Sequence, residues 1–311
     1  MKILLIGYNR IGDTILSTGL INFLLNKYKN ASFTIVTSSI SVSIFEDMPQ
    51  LEELIIVDKK KYSLHWLEIW LKTKSVKWDL IVDLRSSSLA NILSCKQKMI
   101  FKGNMYEHKL DQLKKFIGSV DEIKPKIWAN DKNYCDIYEK KNLKNNYICI
   151  APISNFPGKD WSMKKYTSLL ANDLFKNYDI VILGATSDKK EIDNINQLVQ
   201  GSNQVIKNFI NDANLIETYF ILQKAALFLG SDSANMHMAV AANIPTIGLF
   251  GPTNEKLYGP LGKNNLSLRG DKSFSEIVNQ LDYKSGKIKS YLDNLSVTKV
   301  HKEIERILES K

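Results

Sequence analysis

The chain has 311 residues, and its composition, 44% hydrophobic and 24% charged, is that of an ordinary globular protein long enough for two domains. No apolar run approaches the roughly 18 residues that a membrane span needs, and the first residues do not form a signal-peptide pattern, which predicts a cytoplasmic protein. Cys95, Cys135 and Cys149 are odd in number and widely spaced, which favours reduced thiols over disulfides or zinc ligands. No metal site is expected.

The first half of the chain is predicted to alternate strands with helices. An apolar run at residues 2–7 is typical of a strand buried in a parallel sheet, and a turn at residues 8–13 and a helix at residues 14–28 follow it. Further strands are predicted at residues 33–37, 54–57 and 80–83, and further helices at residues 41–47, 64–74 and 111–117. Residues 84–135 otherwise show no regular pattern. The alternation predicts a parallel, doubly wound sheet.

A polar segment at residues 142–146 is predicted to link two domains, residues 1–145 and residues 146–311. In the second domain, strands are predicted at residues 147–151, 180–183, 205–207, 225–230 and 246–250, and helices at residues 164–175, 188–199, 216–225, 235–242 and 298–309. The predicted fold class is therefore α/β, with two Rossmann-like doubly wound parallel-sheet domains. Such sheets bind ligands outside the carboxyl ends of their strands.

The net charge of +9 is unevenly distributed between these halves. Residues 1–145 carry 23 Lys and Arg against 16 Asp and Glu, whereas residues 146–311 carry 19 against 17. A basic surface can attract nucleic acid, anionic lipid headgroups or a phosphorylated substrate, and a Lys-rich composition that only keeps the protein soluble is the alternative. No zinc-finger, helix-turn-helix or aromatic RNA-binding motif is present, so nucleic acid is not an expected partner.

Residues 228–260 combine an apolar run, a polar turn, a helix, a strand and a Gly-Pro loop. A strand that leads through a polar turn into a helix collects free backbone N–H groups and the positive end of the helix dipole, which is how α/β sheets build anion sites. Asp232, Ser233 and His237 lie at this turn. A plain helix N-cap with a core histidine is the alternative. No GxGxxG or GxxxxGK[ST] motif competes, so NAD and P-loop chemistry are not favoured.

The turn at residues 232–237, DSANMH, resembles the donor-binding signature of the heptosyltransferase-like glycosyltransferases, glycosyltransferase family 9. In that signature an Asp-Ser/Thr-Gly-x-x-His turn precedes an Ala-rich helix, a strand and Gly-Pro-Thr, and residues 250–253 here read FGPT. Ala234 replaces the family's Gly. The replacement costs energy or shifts the pocket if that Gly serves a positive φ or a close backbone approach to phosphate, and it is harmless if the residue is already helical. The resemblance covers essentially the whole chain and implies a GT-B architecture, with an N-terminal acceptor-binding domain and a C-terminal nucleotide-sugar-binding domain facing a central cleft.

Asp13 follows the first strand in the sequence Ile11-Gly12-Asp13. Asp is a favoured helix N-cap, and that structural role is one interpretation. The stretch also resembles the family's Ile-Gly-Asp signature, in which the matching Asp is the proposed general base. Glycosyl transfer needs such a base because an acceptor hydroxyl is a poor nucleophile until its proton is removed. The resemblance therefore implies that Asp13 is catalytic.

Lys159 lies in the loop at residues 152–161, after the first strand of the second domain. The family's matching loop ends in Lys-x-Trp, here Lys159-Asp160-Trp161, and its Lys contacts the donor phosphates. An ammonium at that point would stabilise the charge on a departing nucleoside diphosphate without a metal. A solvated loop lysine is the alternative. Ser154, in the same loop, is predicted as a further phosphate contact.

The resemblance implies further donor-binding residues around these two loops. Asp232 is expected to hold sugar hydroxyls, Ser233 and Ala234 are expected to contact phosphate, and His237 lies one helical turn further on. Gly184 follows the strand at residues 180–183 and is expected to border the base pocket.

The predicted function is that of an inverting, metal-independent glycosyltransferase without a cofactor. By resemblance the donor is ADP-heptose or a similar nucleotide sugar, and the acceptor is a lipopolysaccharide-core or other envelope glycan. The basic N-terminal half suits an anionic or lipid-linked acceptor and, by charge alone, a peripheral contact with the inner membrane. The alternatives are a hexosyltransferase of a capsule or glycoprotein pathway and a non-catalytic nucleotide-sugar- or glycan-binding protein.

Overall fold

The computed structural model describes residues 1–130, 136–143, 146–202, 204–280 and 290–310. The chain divides into two compact units, Met1–Asp131 and Lys132–Lys311. Cys135 and residues 144 and 145 of the predicted linker lie outside the described residues. Within the described ranges, no helix is both long and apolar enough to cross a membrane.

The first unit contains a five-stranded parallel sheet. Its strands are β1 (Lys2–Ile6), β2 (Ser32–Thr37), β3 (Leu51–Ile56), β4 (Trp78–Asp83) and β5 (Cys95–Ile100). Its helices are α1 (Ile11–Lys27), α2 (His65–Thr73), α3 (Leu89–Ile92) and α4 (Lys109–Ile117), with short 3-10 helices at Ser39–Ile44 and Lys61–Ser63. The strand order is β3-β2-β1-β4-β5.

The second unit contains a six-stranded parallel sheet. Its strands are β6 (Tyr147–Ala151), β7 (Asp179–Ile182), β8 (Ile206–Asn208), β9 (Leu227–Ser231), β10 (Thr246–Phe250) and β11 (Asn265–Arg269). Its helices are α5 (Ile137–Lys140), α6 (Met163–Leu170), α7 (Lys189–Gln200), α8 (Leu215–Gln223), α9 (Ala234–Ala241), α10 (Glu255–Tyr258), α11 (Phe274–Val278) and α12 (Val297–Glu309), with short 3-10 helices at Pro157–Lys159 and Asp173–Asn177. The strand order is β11-β10-β9-β6-β7-β8.

The central strands of both sheets are buried on both faces, as their continuous apolar sequences predict. In β1 every residue after Lys2 is buried, and in β6, β9 and β10 every residue is buried. The core of the second unit also contains Trp161 and Tyr166, whose rings pack edge to face with centroids 5.0 Å apart. The packing of these cores fixes the positions of the strand ends, where the loops begin.

Each sheet has one point at which its strand order reverses direction. In the first unit that point lies between β1 and β4, which pair with Leu5 opposite Val82. In the second it lies between β6 and β9, which pair with Ile150 opposite Leu229. In open α/β sheets, ligands bind outside the carboxyl ends of the strands at these switch points. A ligand site is therefore expected in the loops after β1, β4, β6 and β9.

The short helix α5 belongs to the second unit, although it precedes the predicted linker. Tyr138 Oη donates to Phe220 O of α8 at 2.7 Å, and Lys141 Nζ donates to Asp212 Oδ2 at 2.7 Å. The two units therefore divide earlier in the chain than residues 142–146. The acceptor and donor roles of the two halves stay predictions.

The sheets confirm the predicted doubly wound fold, but several element predictions were wrong. The strands β5 and β11 were not predicted, because both are edge strands without a continuous apolar run: β5 is partly exposed and has the sequence CKQKMI, and β11 has the sequence NLSLR. Helix α1 begins at Ile11 rather than at residue 14. The helix predicted at residues 164–175 ends at Leu170, and a separate 3-10 helix, Asp173–Asn177, follows it.

Candidate functional site

The loops after β6 and β9 meet at the switch point of the second sheet. Ser231 Oγ donates a hydrogen bond to Lys159 O at 2.7 Å, which ties one loop to the other. Lys159 Nζ donates to both the backbone O and the carboxylate Oδ2 of Asp232, each at 3.1 Å. Two residues from separate sequence motifs are thus in direct contact.

The contact between Lys159 and Asp232 is largely withdrawn from solvent. The Asp232 side chain is 9% exposed and the Lys159 side chain 23%, so Lys159 is not a freely solvated loop lysine. His237 Nε2 lies 3.6 Å from the second carboxylate oxygen of Asp232. Burial by itself raises the pKa of Asp232, but the neighbouring His237 ring and the Lys159 ammonium outweigh it and lower that pKa to about 2. The carboxylate is therefore ionised at neutral pH.

Helix α9 starts two residues after Asp232 and contains His237. Its N-cap, Ser233, is extended with φ −151° and ψ 175°, and its first helical residue is Ala234. The positive-φ residues of the described chain do not include Ala234. Alanine at this position is therefore free of backbone strain, which resolves the conformational question raised by the replacement of the family's Gly.

A buried hydroxyl and free backbone donors lie at the N-terminus of α9. The side chain of Ser233 does not cap the helix, and its Oγ is buried without a hydrogen-bond partner among the described residues. The first N–H groups of a helix lack partners within the helix, and its dipole favours negative charge. With the Lys159 ammonium beside it, this arrangement is suited to bind a phosphate group.

The loop after β10, next to β9 in the sheet, adds a second hydroxyl of this kind. Thr253 Oγ1 is buried and likewise lacks a hydrogen-bond partner in the described part of the chain. Arg269 of β11 holds the loop in place by donating to Gly251 O and Thr253 O while it pairs with Glu255. Thr253 was not predicted as a site residue, although the Gly-Pro-Thr motif was the signal that could have identified it.

Ser154 and Gly184 lie on neighbouring loops at the same edge of the sheet. Ser154, in the loop after β6, places its Oγ 3.0 Å from Phe156 O. Gly184, after β7, has φ +153°, and a Cβ there would lie 2.9 Å from the Ile210 side chain. Backbone conformation and packing therefore account for this glycine. The donor-binding roles of both residues stay predictions.

The predicted base lies in the loop region after β1, at the switch point of the first sheet. The N-cap of α1 is Arg10, so Asp13 is in the first helical turn and the N-cap interpretation of Asp13 is wrong. The side chain is partly exposed. Among the described residues, no hydrogen bond or ion pair engages its carboxylate, and its role as the base stays a prediction.

Lys109, at the start of α4, is a further charged residue near Asp13, and the sequence did not identify it. Its Nζ lies 4.9 Å from the centre of the Tyr8 ring and 4.6 Å from that of Phe101. Burial lowers the pKa of Lys109, while the negative charge of Asp13 acts in the opposite direction. No carboxylate in the described ranges forms an ion pair with this ammonium. The site therefore places a half-buried cation, held by two rings, beside the predicted base.

The loop after β4 presents a second cation at this edge. The buried Asp83 carboxylate accepts from Arg85 N at 2.8 Å and from Ser87 Oγ at 2.6 Å, and so fixes the turn. The Arg85 guanidinium stacks 4.2 Å from the centre of the Trp66 ring. The first unit thus has two ordered cations near its switch point. Within the described ranges, neither unit has three or more His, Cys, Asp or Glu side chains grouped to hold a metal ion.

Comparison with known proteins identifies the family to which this chain belongs. The family profile of glycosyltransferase family 9 (heptosyltransferase) matches residues 92–283. The chain is 25% identical over 269 residues to lipooligosaccharide heptosyltransferase 2 of Campylobacter jejuni, which covers 83% of each protein. The chain therefore belongs to glycosyltransferase family 9, and it is a glycosyltransferase.

Solved structures of the family share its fold. A family 9 glycosyl transferase from Veillonella parvula is 19% identical, with a TM-score of 0.79 over 100% of this chain and 97% of that one. The Escherichia coli heptosyltransferase WaaC, solved with ADP, is 16% identical, with a TM-score of 0.73 over 99% of this chain and 100% of that one. These likenesses confirm the predicted GT-B fold class of two Rossmann-like parallel-sheet domains.

Proposed function

We propose that this protein transfers heptose from ADP-heptose to a lipopolysaccharide-core acceptor, in a single inverting displacement that needs no metal. One observation carries the proposal: the contact between Lys159 and Asp232 beside the unpartnered Ser233 hydroxyl, at the switch point of the second sheet. The printed names of the relatives support the sugar and the acceptor, since they include lipooligosaccharide and lipopolysaccharide heptosyltransferases. One solved relative contains ADP, which supports the nucleotide.

In this proposal the second unit holds the donor and stabilises its departing diphosphate. Lys159, Ser233 and the first N–H groups of α9 bind the phosphates, and Thr253 donates from the next loop. Charge grows on the diphosphate as the glycosidic bond breaks, and fixed donors that are partly shielded from water stabilise that charge strongly. Asp232 keeps Lys159 in place and offers its other carboxylate oxygen to a sugar hydroxyl.

The first unit supplies the base. Asp13 takes the proton of the acceptor hydroxyl as that oxygen attacks the anomeric carbon from the side opposite the diphosphate, so the configuration inverts. Its unpaired carboxylate suits this role. The cations of Lys109 and Arg85 near the same switch point suit an acceptor that carries phosphate or carboxylate groups. We place the reaction in the cytoplasm.

The test is a panel of nucleotides and nucleotide sugars, measured by thermal stabilisation and then by transfer to heptose-deficient lipopolysaccharide. A ligand at about 100 times its Kd stabilises the folded state by about 2.7 kcal/mol. We expect a selective shift with ADP and ADP-heptose, and a product whose anomeric configuration, read by NMR, is inverted, in buffer with or without EDTA. A selective shift with UDP or GDP compounds would contradict the ADP donor, and loss of activity in EDTA would contradict metal independence.

A further inference from the structure

Helix α2 of the first unit exposes apolar side chains that no part of the described chain covers. Leu64, Leu67 and Leu71 are 54%, 53% and 52% exposed, and Tyr62, just before them, is 93% exposed. Tyr62 and Ser63, in the turn before the helix, both have positive φ. We call Tyr62 and these three leucines the α2 surface.

The leucines are not simply the outer fringe of the core. Residues three and four apart share one face of a helix, and the opposite face of α2 is the one that packs inward, where His65, Ile69 and Thr73 are buried. A solvent-facing helix side is normally charged or polar. Here leucines stand at its centre, so this helix presents an apolar face both to the core and to the outside.

Lysines flank the α2 surface in the sequence. Residues 58–77 contain six Lys and only two acidic residues, Asp58 and Glu68. Glu68 is already engaged, because Lys60 Nζ and Lys72 Nζ lie 2.5 Å and 3.1 Å from its carboxylate oxygens. Elsewhere in the described chain, no carboxylate forms an ion pair with Lys59, Lys61 or Lys74. The surface is therefore apolar in the middle and positive at its margin.

We propose that the α2 surface docks on an anionic lipid bilayer. A helix with exposed leucines and flanking lysines has the composition of a segment that lies in the membrane interface, with the leucines among the acyl chains and the ammonium groups at the phosphates. A tyrosine at the edge of such a helix suits the headgroup layer. The charge distinguishes this occupant from an apolar protein partner, since anionic headgroups complement Lys59 and Lys61, which form no ion pair among the described residues. The inference stands apart from which sugar is transferred.

The experiment is flotation of the purified full chain with vesicles of phosphatidylglycerol and phosphatidylethanolamine, and with phosphatidylcholine vesicles as the neutral comparison. We expect binding to the anionic vesicles that weakens with added salt. The variant L67Q/L71Q should bind about tenfold less tightly because it removes the apolar anchor. The variant K59Q/K61Q should lose about tenfold through the weaker attraction to the headgroups.

Control variants remove one exposed leucine or two exposed lysines from the second unit. Leu261, 45% exposed, supports L261Q, and the exposed Lys164 and Lys302 support K164Q/K302Q. Both controls should bind vesicles as the unmodified protein does, and all variants should keep the thermal stability and ADP response of the unmodified protein. Equal vesicle binding by L67Q/L71Q and L261Q would overturn the proposal. So would the absence of vesicle binding, or self-association through the α2 surface in place of it. None of these results bears on the sugar-transfer proposal, which the nucleotide panel tests separately.

Discussion

Asp160, between Lys159 and Trp161, leads to a prediction about stability and pH. Its Oδ1 is buried without a hydrogen-bond partner among the described residues. Burial raises the pKa of this carboxyl to about 7, with the charge of Glu191 adding to the effect and contacts with Ser154 and Lys159 working against it. The folded protein therefore opposes ionisation of Asp160, whereas the unfolded chain does not.

The sign of the effect follows from comparing the two states. Well below pH 4 the carboxyl is protonated in both the folded and the unfolded state, and it costs no stability. As the pH rises towards 7, the unfolded chain releases this proton first, so the free energy of unfolding falls across that interval and then levels off. A difference of about three pKa units between the folded and unfolded states lowers the free energy of unfolding by about 4 kcal/mol at most. We expect about half of that for Asp160→Asn, because structure in the unfolded chain and local relaxation reduce such effects.

The assay is urea unfolding at pH 8 and at pH 4, monitored by the 19F NMR signals of fluorotryptophan-labelled protein. Trp161 is the one tryptophan in residues 146–311, so its resonance reports on the second unit. Asp160→Asn should stabilise that unit by about 2 kcal/mol at pH 8 and by much less at pH 4. Asp173→Asn, at an exposed carboxylate paired with Lys176, is the matched control and should change little at either pH. An equal effect of Asp160→Asn at both pH values would refute the reasoning.

Two further predictions concern the donor site. Lys159→Met should lower kcat by about 100-fold or more and raise the Kd for ADP, because it removes a preplaced positive charge and leaves the buried Asp232 carboxylate without its cation. The double variant K159M/D232N should regain thermal stability but not activity. Recovery of activity in the double variant would show that Lys159 acts only through structure. Ala234→Gly should lower the free energy of unfolding by at most roughly 0.5–1 kcal/mol, the cost of glycine in the middle of a helix, because residue 234 is only the first helical residue. It should not tighten ADP binding; calorimetry that showed tighter binding would indicate that the alanine obstructs the pocket.

The sequence predicted the central strands well, because a strand buried on both faces must be continuously apolar. The runs at β6 and β10 match their predicted bounds, residues 147–151 and 246–250. The edge strands β5 and β11 escaped prediction because an edge strand needs no such run. Strand order was equally out of reach, since it is decided by packing between segments far apart in the chain.

The candidate site, too, was predicted from the sequence only in part. Motifs brought Lys159, Asp232 and Asp13 forward as separate residues, but the 3.1 Å contact of Lys159 with Asp232 depends on β6 pairing with β9. Lys109 carries no local motif, and only the packing of α4 near the Asp13 turn shows its importance. The backbone strain at Ala234 was undecidable from sequence because it depends on the local φ, which the structure places in a helix.

The most direct test of the account is Asp13→Asn, which removes the base and keeps the shape of the side chain. We measure the rate of heptose transfer at saturating ADP-heptose and, on the same preparation, the Kd for ADP by calorimetry. The account predicts a loss of roughly 100-fold to 10,000-fold in kcat, as expected for a missing general base, with an unchanged Kd. A variant that transfers heptose at the rate of the unmodified protein would contradict the central claim that Asp13 activates the acceptor.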